Sequence, residues 1–189
     1  MNKLLAVAGL IGLTGLLASC NVTVTPGPGG GGQSSILSLN AITSYKSSWV
    51  LQNDAFDQNG AKLSKGTQII CDNRNTDLDV GVSWTGGLQR IGVQFVGLKT
   101  GATSNVRVFG DAYSSTDFSG SGVATITIGK GVAPLKVGSG LSAQAIIVNP
   151  VNTVTVKGNT YVQAIGEDRN GDLSNVVQSV TAIPVADCS

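Results

Sequence analysis

Histidine is absent from this 189-residue chain, methionine occurs once, and charged side chains are sparse. Without histidine there is no imidazole base for a Ser-His-Asp triad and no imidazole ligand for zinc or copper. Charged residues make up 12% of the chain, against about a quarter in an average protein. A net charge of +1 does not favour nucleic-acid binding, which requires a basic surface. The composition therefore predicts no metal, no cofactor and no nucleic-acid partner.

Signatures of catalysis are also missing from the sequence. No S-x-x-K or G-x-S-x-G motif occurs in a strand-to-helix context, and a glycosidase would need two carboxylates that face each other across a cleft. The acidic residues instead fall into three predicted loop groups typical of solvated turns: Asp54 with Asp57; Asp72 with Asp77 and Asp79; and Glu167 with Asp168 and Asp172. We expect no catalytic residue and a non-enzymatic protein.

The segment Asp168–Asp172 places oxygen ligands at alternate positions, as calcium loops do. An EF-hand loop also needs glycine at position 6 and glutamate at position 12. Counted from Asp168, these positions hold Leu173 and Ser179, so the match fails. We expect a hairpin turn here and no metal site.

One long apolar run is present, over residues 4–17, and it follows Lys3 near the amino terminus. The run is too short to cross a bilayer, which takes roughly 20 apolar residues, but it suits a cleaved signal peptide. The sequence Leu17-Ala18-Ser19-Cys20 at its end resembles the lipobox of bacterial lipoproteins. The resemblance implies cleavage before Cys20, a diacylglycerol on the Cys20 thiol and an acylated amino terminus. An ordinary signal peptide is the alternative.

The predicted organisation has three parts: a signal peptide over 1–19, a lipidated cysteine with a Gly/Pro/Ser-rich linker over 20–35, and a folded domain over 36–189. Removing Lys3 from the twelve basic residues leaves eleven, which equals the number of acidic residues. The mature chain is therefore neutral. In some bacteria with two membranes, an aspartate after the lipidated cysteine retains lipoproteins at the inner membrane. Asn21 occupies that position here, so the resemblance favours the outer membrane if the cell has two membranes.

Alternation of apolar and polar residues dominates the folded part, which is typical of half-buried antiparallel strands. Turn signals separate these stretches, among them Asn59-Gly60, Asn149-Pro150 and Asn170-Gly171. We predict a single all-β antiparallel sandwich of eight to ten strands. The alternating apolar positions are Leu78, Val80, Val82, Trp84; Ile91, Val93, Phe95; Val106, Val108; Ala124, Ile126, Ile128; Leu141, Ala143, Ala145, Ile147; and Val154, Val156.

Two segments resemble immunoglobulin-like domains. The stretch from Tyr161 to Ser174 is similar to the last hairpin of fibronectin type III domains, and the spacing of Cys71 and Trp84 is similar to that of the strand B cysteine and strand C tryptophan of immunoglobulins. The second immunoglobulin cysteine is missing, because Gln163 stands at its position. The resemblance implies an immunoglobulin-like sandwich but carries no function, since this fold hosts many.

The two cysteines beyond Cys20 form an even pair. Export would place them in an oxidising compartment, so we predict a structural Cys71–Cys188 disulfide; buried free thiols are the alternative.

Aromatic residues are the remaining resource for ligand binding. We expect Trp84 to lie in the core. We also expect Trp49 in the core, with an exposed position as the alternative. Tyr113 and Phe118 lie in a predicted polar loop. We expect one of the two rings to cover the end of the core; the alternative is that both rings are exposed. The sequence thus predicts a membrane-anchored envelope lipoprotein with a structural or interaction role, in contact with the membrane and other envelope proteins or glycans. The alternative is a carbohydrate or small-ligand binding module that uses loop aromatics.

Overall fold

The computed structural model describes residues 37–99, 101, 103, 108–110 and 119–189. The chain divides into two units, Met1–Gly32 and Gln33–Ser189, and every described residue belongs to the second. The predicted signal peptide, Cys20, the linker, Val106, Tyr113 and Phe118 lie outside the described residues.

The described residues form fourteen strands, one short 3₁₀ turn and no α-helix, which confirms the all-β prediction. Several strands contain only two or three residues, so their number exceeds the predicted eight to ten. The strands are β1 (Ser38–Ser47), β2 (Trp49–Leu51), β3 (Ala55–Phe56), β4 (Lys62–Leu63), β5 (Gln68–Cys71), β6 (Thr76–Thr85), β7 (Arg90–Gly97), β8 (Val108–Phe109), β9 (Gly120–Gly129), β10 (Ala133–Val137), β11 (Asn149–Val151), β12 (Val154–Glu167), β13 (Leu173–Gln178) and β14 (Ile183–Cys188).

Two sheets build the sandwich. The small sheet has the order β1-β6-β9-β10, and the large sheet has the order β11-β2-β5-β14-β12-β7-β8, with β13 also paired to β12. β3 and β4 form a separate hairpin. Most pairs are antiparallel, as predicted, but β11 runs parallel to β2 and β14 runs parallel to β5. The two parallel pairs bring chain segments together that are far apart in sequence.

The main core lies between the two sheets and follows the predicted alternation. Alternate residues of β6, β7 and β9 are almost fully buried, and so is Trp84, as expected. On β12 the inward residue is Val162, while Tyr161 remains half-exposed on the opposite face. The inward residues from these strands are Leu78, Val80, Val82, Trp84, Ile91, Val93, Phe95, Ala124, Ile126, Ile128, Val162 and Ala164.

A second apolar cluster contains residues from the β2, β5, β11 and β14 end of the large sheet. On β5, Ile70 faces the main core, whereas its neighbours Ile69 and Cys71 belong to this second cluster. Because side chains alternate along a strand, β5 is apolar on both faces. Ala55 and Leu63 of the β3–β4 hairpin pack against the cluster. It was not predicted from the sequence, because β5 shows no alternation.

The predicted disulfide between Cys71 and Cys188 is present and lies in this second cluster, with a Cα–Cα distance of 5.5 Å. It links β5 to β14, two neighbouring strands of one sheet. In immunoglobulins the corresponding bond joins the two sheets beside the core tryptophan; here Trp84 belongs to the other cluster. The amide of Asn73 adds to the link, since it donates to the Cys188 carbonyl and accepts from the Cys188 N–H, at 3.1 and 3.0 Å.

The segment between β10 and β11 departs from the prediction. Alternation over 141–147 predicted a strand, but the structure has none between Val137 and Asn149, and Ile147 is 79% exposed. Conversely, Asn149-Pro150 was predicted as a turn and lies in β11 instead. The reason is pairing: β11 finds β2 as a neighbour, whereas 142–148 has no neighbouring strand and its alternating side chains remain outside both cores.

Asn175 on β13 connects the edges of the two sheets. Its side-chain amide donates to the Leu39 carbonyl and accepts from the Leu39 N–H, at 2.9 and 3.0 Å, and it also accepts from the Ser38 hydroxyl. The Asn175 amide thus satisfies both backbone groups of Leu39, next to the shift in the β1–β6 register between Leu39 and Ala41. A side chain from the large sheet thereby satisfies the backbone of the small one.

We predict that reducing the disulfide lowers the melting temperature. The bond closes a loop of 117 residues in sequence, for which loop-closure entropy gives a stabilisation of about 5 kcal/mol. Thermal unfolding of the full chain with and without reductant measures the effect. A Cys20→Ser variant is the control and should show the same loss on reduction; an unchanged melting temperature would contradict the prediction.

We predict that Asn175→Ala destabilises the fold by about 1–3 kcal/mol, because it leaves the backbone of Leu39 without partners. Asn170→Ala is the matched control, since Asn170 is exposed and its side chain has no hydrogen bond within the described residues. Urea unfolding should show a lower midpoint for Asn175→Ala alone. Equal midpoints for both variants would show that the Asn175 contacts contribute nothing.

Candidate functional site

The chain changes sheets between β1 and β2, and this crossing places Trp49. The buried Ser47 hydroxyl donates to the Ile69 carbonyl and accepts from the Trp49 N–H, which holds the crossing in place. The hydroxyl of the next residue, Ser48, accepts from the N–H of Asp77 on β6. Two neighbouring serines therefore tie the crossing to both sheets.

Trp49 itself is half-buried. Its ring packs against the second apolar cluster, and its indole N–H donates to the Asn75 carbonyl at 2.9 Å. The guanidinium of Arg74 lies over the ring, 5.4 Å from its centroid, which is within the range of a cation–π contact. The expected core position of Trp49 is thus only partly met, whereas Trp84 is fully in the core.

Beside Trp49 is a polar groove of about 510 Å³, which we call the Trp49 groove. Its wall on one side is the face of the small sheet that points away from the main core. The segment from Gln144 to Asn149 forms the opposite wall as it crosses toward β11. The polar and aromatic residues that line it are Ser48, Trp49, Asn75, Asp77, Thr125, Thr127, Gln144 and Asn149.

Two aspartate–threonine pairs order the sheet side of the groove. Asp77 faces Thr127 across β6 and β9, and Asp79 faces Thr125 in the next outward position. Each threonine hydroxyl donates to the carboxylate opposite, at 2.9 Å to Asp77 and 2.5 Å to Asp79. Such cross-strand pairs fix the register, so the Asp77 carboxylate is held at a defined position.

Some hydrogen-bonding groups in the groove have no partner among the described residues. Within the described residues, Asp77 has one carboxylate oxygen with no hydrogen-bond donor, and the Gln144 side-chain amide has no partner. The amide nitrogen of Asn149 contacts the Ser48 and Ile147 carbonyls, which leaves its oxygen as an acceptor. These groups can bind a small polar molecule that enters beside Trp49.

The first acidic group of the sequence stabilises the β3–β4 hairpin. Lys62 forms an ion pair with Asp54 at 2.6 Å, and this bond, with the Lys65 N–H, lowers the pKa of Asp54. Asp57 accepts from the backbone N–H groups of Ala61 and Asn59, and these bonds lower its pKa. Both carboxylates therefore have a structural partner, as expected for turn residues.

The second acidic group is not the loop group that was predicted, because Asp77 and Asp79 lie in strand β6. The third group lies at the turn after β12. Asp72 and Asp187 both contact the Lys157 ammonium, and the bonds to Asp187 and then Asp72 raise the Lys157 pKa. The predicted hairpin turn is present, because Asp168 accepts from the N–H groups of Asn170 and Asp172. Within the part of the chain that the structure describes, no three acidic or cysteine side chains form a metal-binding group.

A second cleft, of about 350 Å³, lies beside the Lys157 pairs. Its floor is apolar, with Phe95, Val132 and Val185, and Lys157 and Asp72 stand at its edge. Among the described residues that line this cleft, the one cation, Lys157, is already paired with two carboxylates. The cleft therefore offers fewer unpaired polar groups than the Trp49 groove.

The sequence identified Trp49 and Asp77 separately but not as neighbours, and it missed Thr127, Gln144 and Asn149. Asp77 alternates with the inward Leu78, which predicts that Asp77 faces outward. This was the available signal for the wall that the sheet forms. The opposite wall had no signal, since the crossing segment was predicted as a strand.

Searches with protein-family models, curated proteins and solved structures find no protein similar to this chain. Among the described residues, no helix is long and apolar enough to span a membrane.

We predict that the β3–β4 hairpin is acid-sensitive. The pKa of Asp57 is below its ordinary value of 3.8 in the folded state, so its bonds stabilise the hairpin above that pH and are lost as pH falls through the lowered pKa. NMR titration of the Ala61 and Asn59 amides should show a midpoint below 3.8, and Asp57→Asn should abolish it. A wild-type midpoint at or above 3.8 would contradict this.

Proposed function

We propose that this chain is a lipid-anchored protein of the bacterial cell envelope whose immunoglobulin-like sandwich has a non-enzymatic, structural or interaction role. The observation that carries the proposal is the use of the three cysteines. Cys71 and Cys188 are bonded to each other, so Cys20, in the lipobox-like Leu17-Ala18-Ser19-Cys20, is not required for a disulfide in the fold. Two or three acyl chains at Cys20 would give stable anchoring, whereas a single chain would not.

The disulfide also supports export, because such bonds persist in oxidising compartments. The neutral mature chain and its linker agree with a domain held away from the lipid surface. If the cell has two membranes, Asn21 favours the outer one.

Two features of the folded part support an interaction role. Carboxylates that could serve catalysis are held in ion pairs and turns, such as Asp54, Asp57 and Asp168. The edge strand β13 and the loop after it expose apolar side chains: Leu173 (43%), Val176 (46%) and Val180 (90%). Apolar side chains exposed along an edge strand and its loop are available for contact, here with other envelope components.

A second candidate function is carried by the Trp49 groove: the sandwich binds a small ligand. The aromatics would then come from the sheet crossing and not from the Tyr113 and Phe118 loop. A thermal-shift screen of small-molecule mixtures against the full chain should find mixtures that raise the melting temperature, and the rise should be smaller for Gln144→Ala. If no mixture stabilises the chain, this second function is wrong.

We predict that cells expressing the full chain contain a mature protein that begins at an acylated Cys20. Mass spectrometry of its amino-terminal peptide should show the added lipid mass. The Cys20→Ala variant should be found outside the membrane fraction, while Cys71→Ala, which retains Cys20, should remain membrane-bound if it accumulates. An unmodified amino terminus at another residue would overturn the lipid anchor.

A further inference from the structure

We propose that the Trp49 groove is a binding site for a neutral saccharide unit. This inference rests on the second proposed function, small-ligand binding, and names the chemical class of that ligand. It does not depend on the lipid anchor.

The first step concerns charge. Among the described residues that line the groove, Asp77 is the single charged one. An anionic ligand would meet this carboxylate. A cationic ligand would compete with Arg74, whose guanidinium already lies over the Trp49 ring at 5.4 Å. The carboxylate therefore disfavours an anionic ligand, and the guanidinium disfavours a cation on the Trp49 ring.

The second step concerns hydrogen bonding. The free oxygen of Asp77, the amide of Gln144 and the amide oxygen of Asn149 supply two acceptors and one group that both donates and accepts. A ligand that carries several hydroxyl groups satisfies all three, because a hydroxyl donates and accepts at once. Charge-assisted bonds to a carboxylate such as Asp77 are about twice as strong as neutral ones.

The third step concerns apolar contact. A sugar ring has C–H groups beside its hydroxyls, and Trp49 lines the groove with its polar N–H already bonded to Asn75. Ala145 and Ile146 add apolar surface on the opposite wall. A volume of about 510 Å³ lies within the usual range for small-molecule sites. The combination fits one or two hexose units.

The lining is held rigidly on the side that would recognise hydroxyls. Thr127 fixes Asp77 from the neighbouring strand, and the bonds between Ser48 and Asp77 fix the crossing beside Trp49. The Asn149 N–H donates to the Ser48 carbonyl at 2.7 Å, which joins the two walls at one end. Preorganisation of this kind reduces the entropy lost on binding.

The test is a titration of the full-length protein, purified from detergent-solubilised cells, with glucose, galactose, mannose and their disaccharides into the millimolar range. Saturation-transfer NMR detects binding, and tryptophan fluorescence reports the environment of Trp49. Asp77→Asn and Gln144→Ala are the variants, and Asp172→Asn, an exposed turn carboxylate, is the matched control. Gln144 is exposed and its amide has no partner within the described residues, so its replacement should not affect folding.

We expect at least one neutral sugar to bind, with affinity reduced tenfold or more in Asp77→Asn and Gln144→Ala and unchanged in Asp172→Asn. Absence of binding by every neutral sugar, or binding that both groove variants leave unchanged, would overturn the inference. Glucosamine and glucuronate are the charged probes. If either binds more tightly than the neutral sugars, with the same dependence on Gln144, the inference of a neutral saccharide fails while small-ligand binding in the groove stands.

Discussion

The bond between Cys71 and Cys188 is the constraint on which the arrangement of the large sheet depends. It fixes the last strand, β14, beside β5, a parallel neighbour from the first half of the domain. β5 in turn pairs with β2, so the disulfide lies close to the point where the chain crosses from one sheet to the other. The second apolar cluster is built around this bond, and Trp49 packs against it. The cluster that stabilises the terminus therefore also positions one side of the candidate site.

A structural feature could be predicted from the sequence where it depends on residues that are neighbours along the chain. The alternation in β6, β7 and β9 identified the main core because one face of each strand points inward. β5 has apolar residues on both faces, so no period marked it. The stretch 141–147 alternates equally well, yet it forms no strand, since strand formation requires a partner that the stretch itself does not specify.

The candidate site shows the same limit. Trp49 and Asp77 were identified in the sequence, but Asp77 and Gln144 come from distant segments, and only the crossing toward β11 brings them to one groove. The parallel pairing of β11 with β2 produces that crossing, and Asn149-Pro150, which reads as a turn, is part of the pairing. The disulfide was easier to predict because it needed only an even number of cysteines and an oxidising compartment. A resemblance to immunoglobulins suggested the sandwich but not the position of this bond.

We propose that the sandwich is exported and that the disulfide holds its last strand in place. The most direct test is the redox state of Cys71 and Cys188 in protein taken from cells, measured by denaturing it in a mass-tagged alkylating reagent without reductant. We expect that neither Cys71 nor Cys188 of the full chain is alkylated. Both should be alkylated in a variant that lacks residues 1–19 and is retained in the cytoplasm. Two tagged cysteines in the full chain would contradict it.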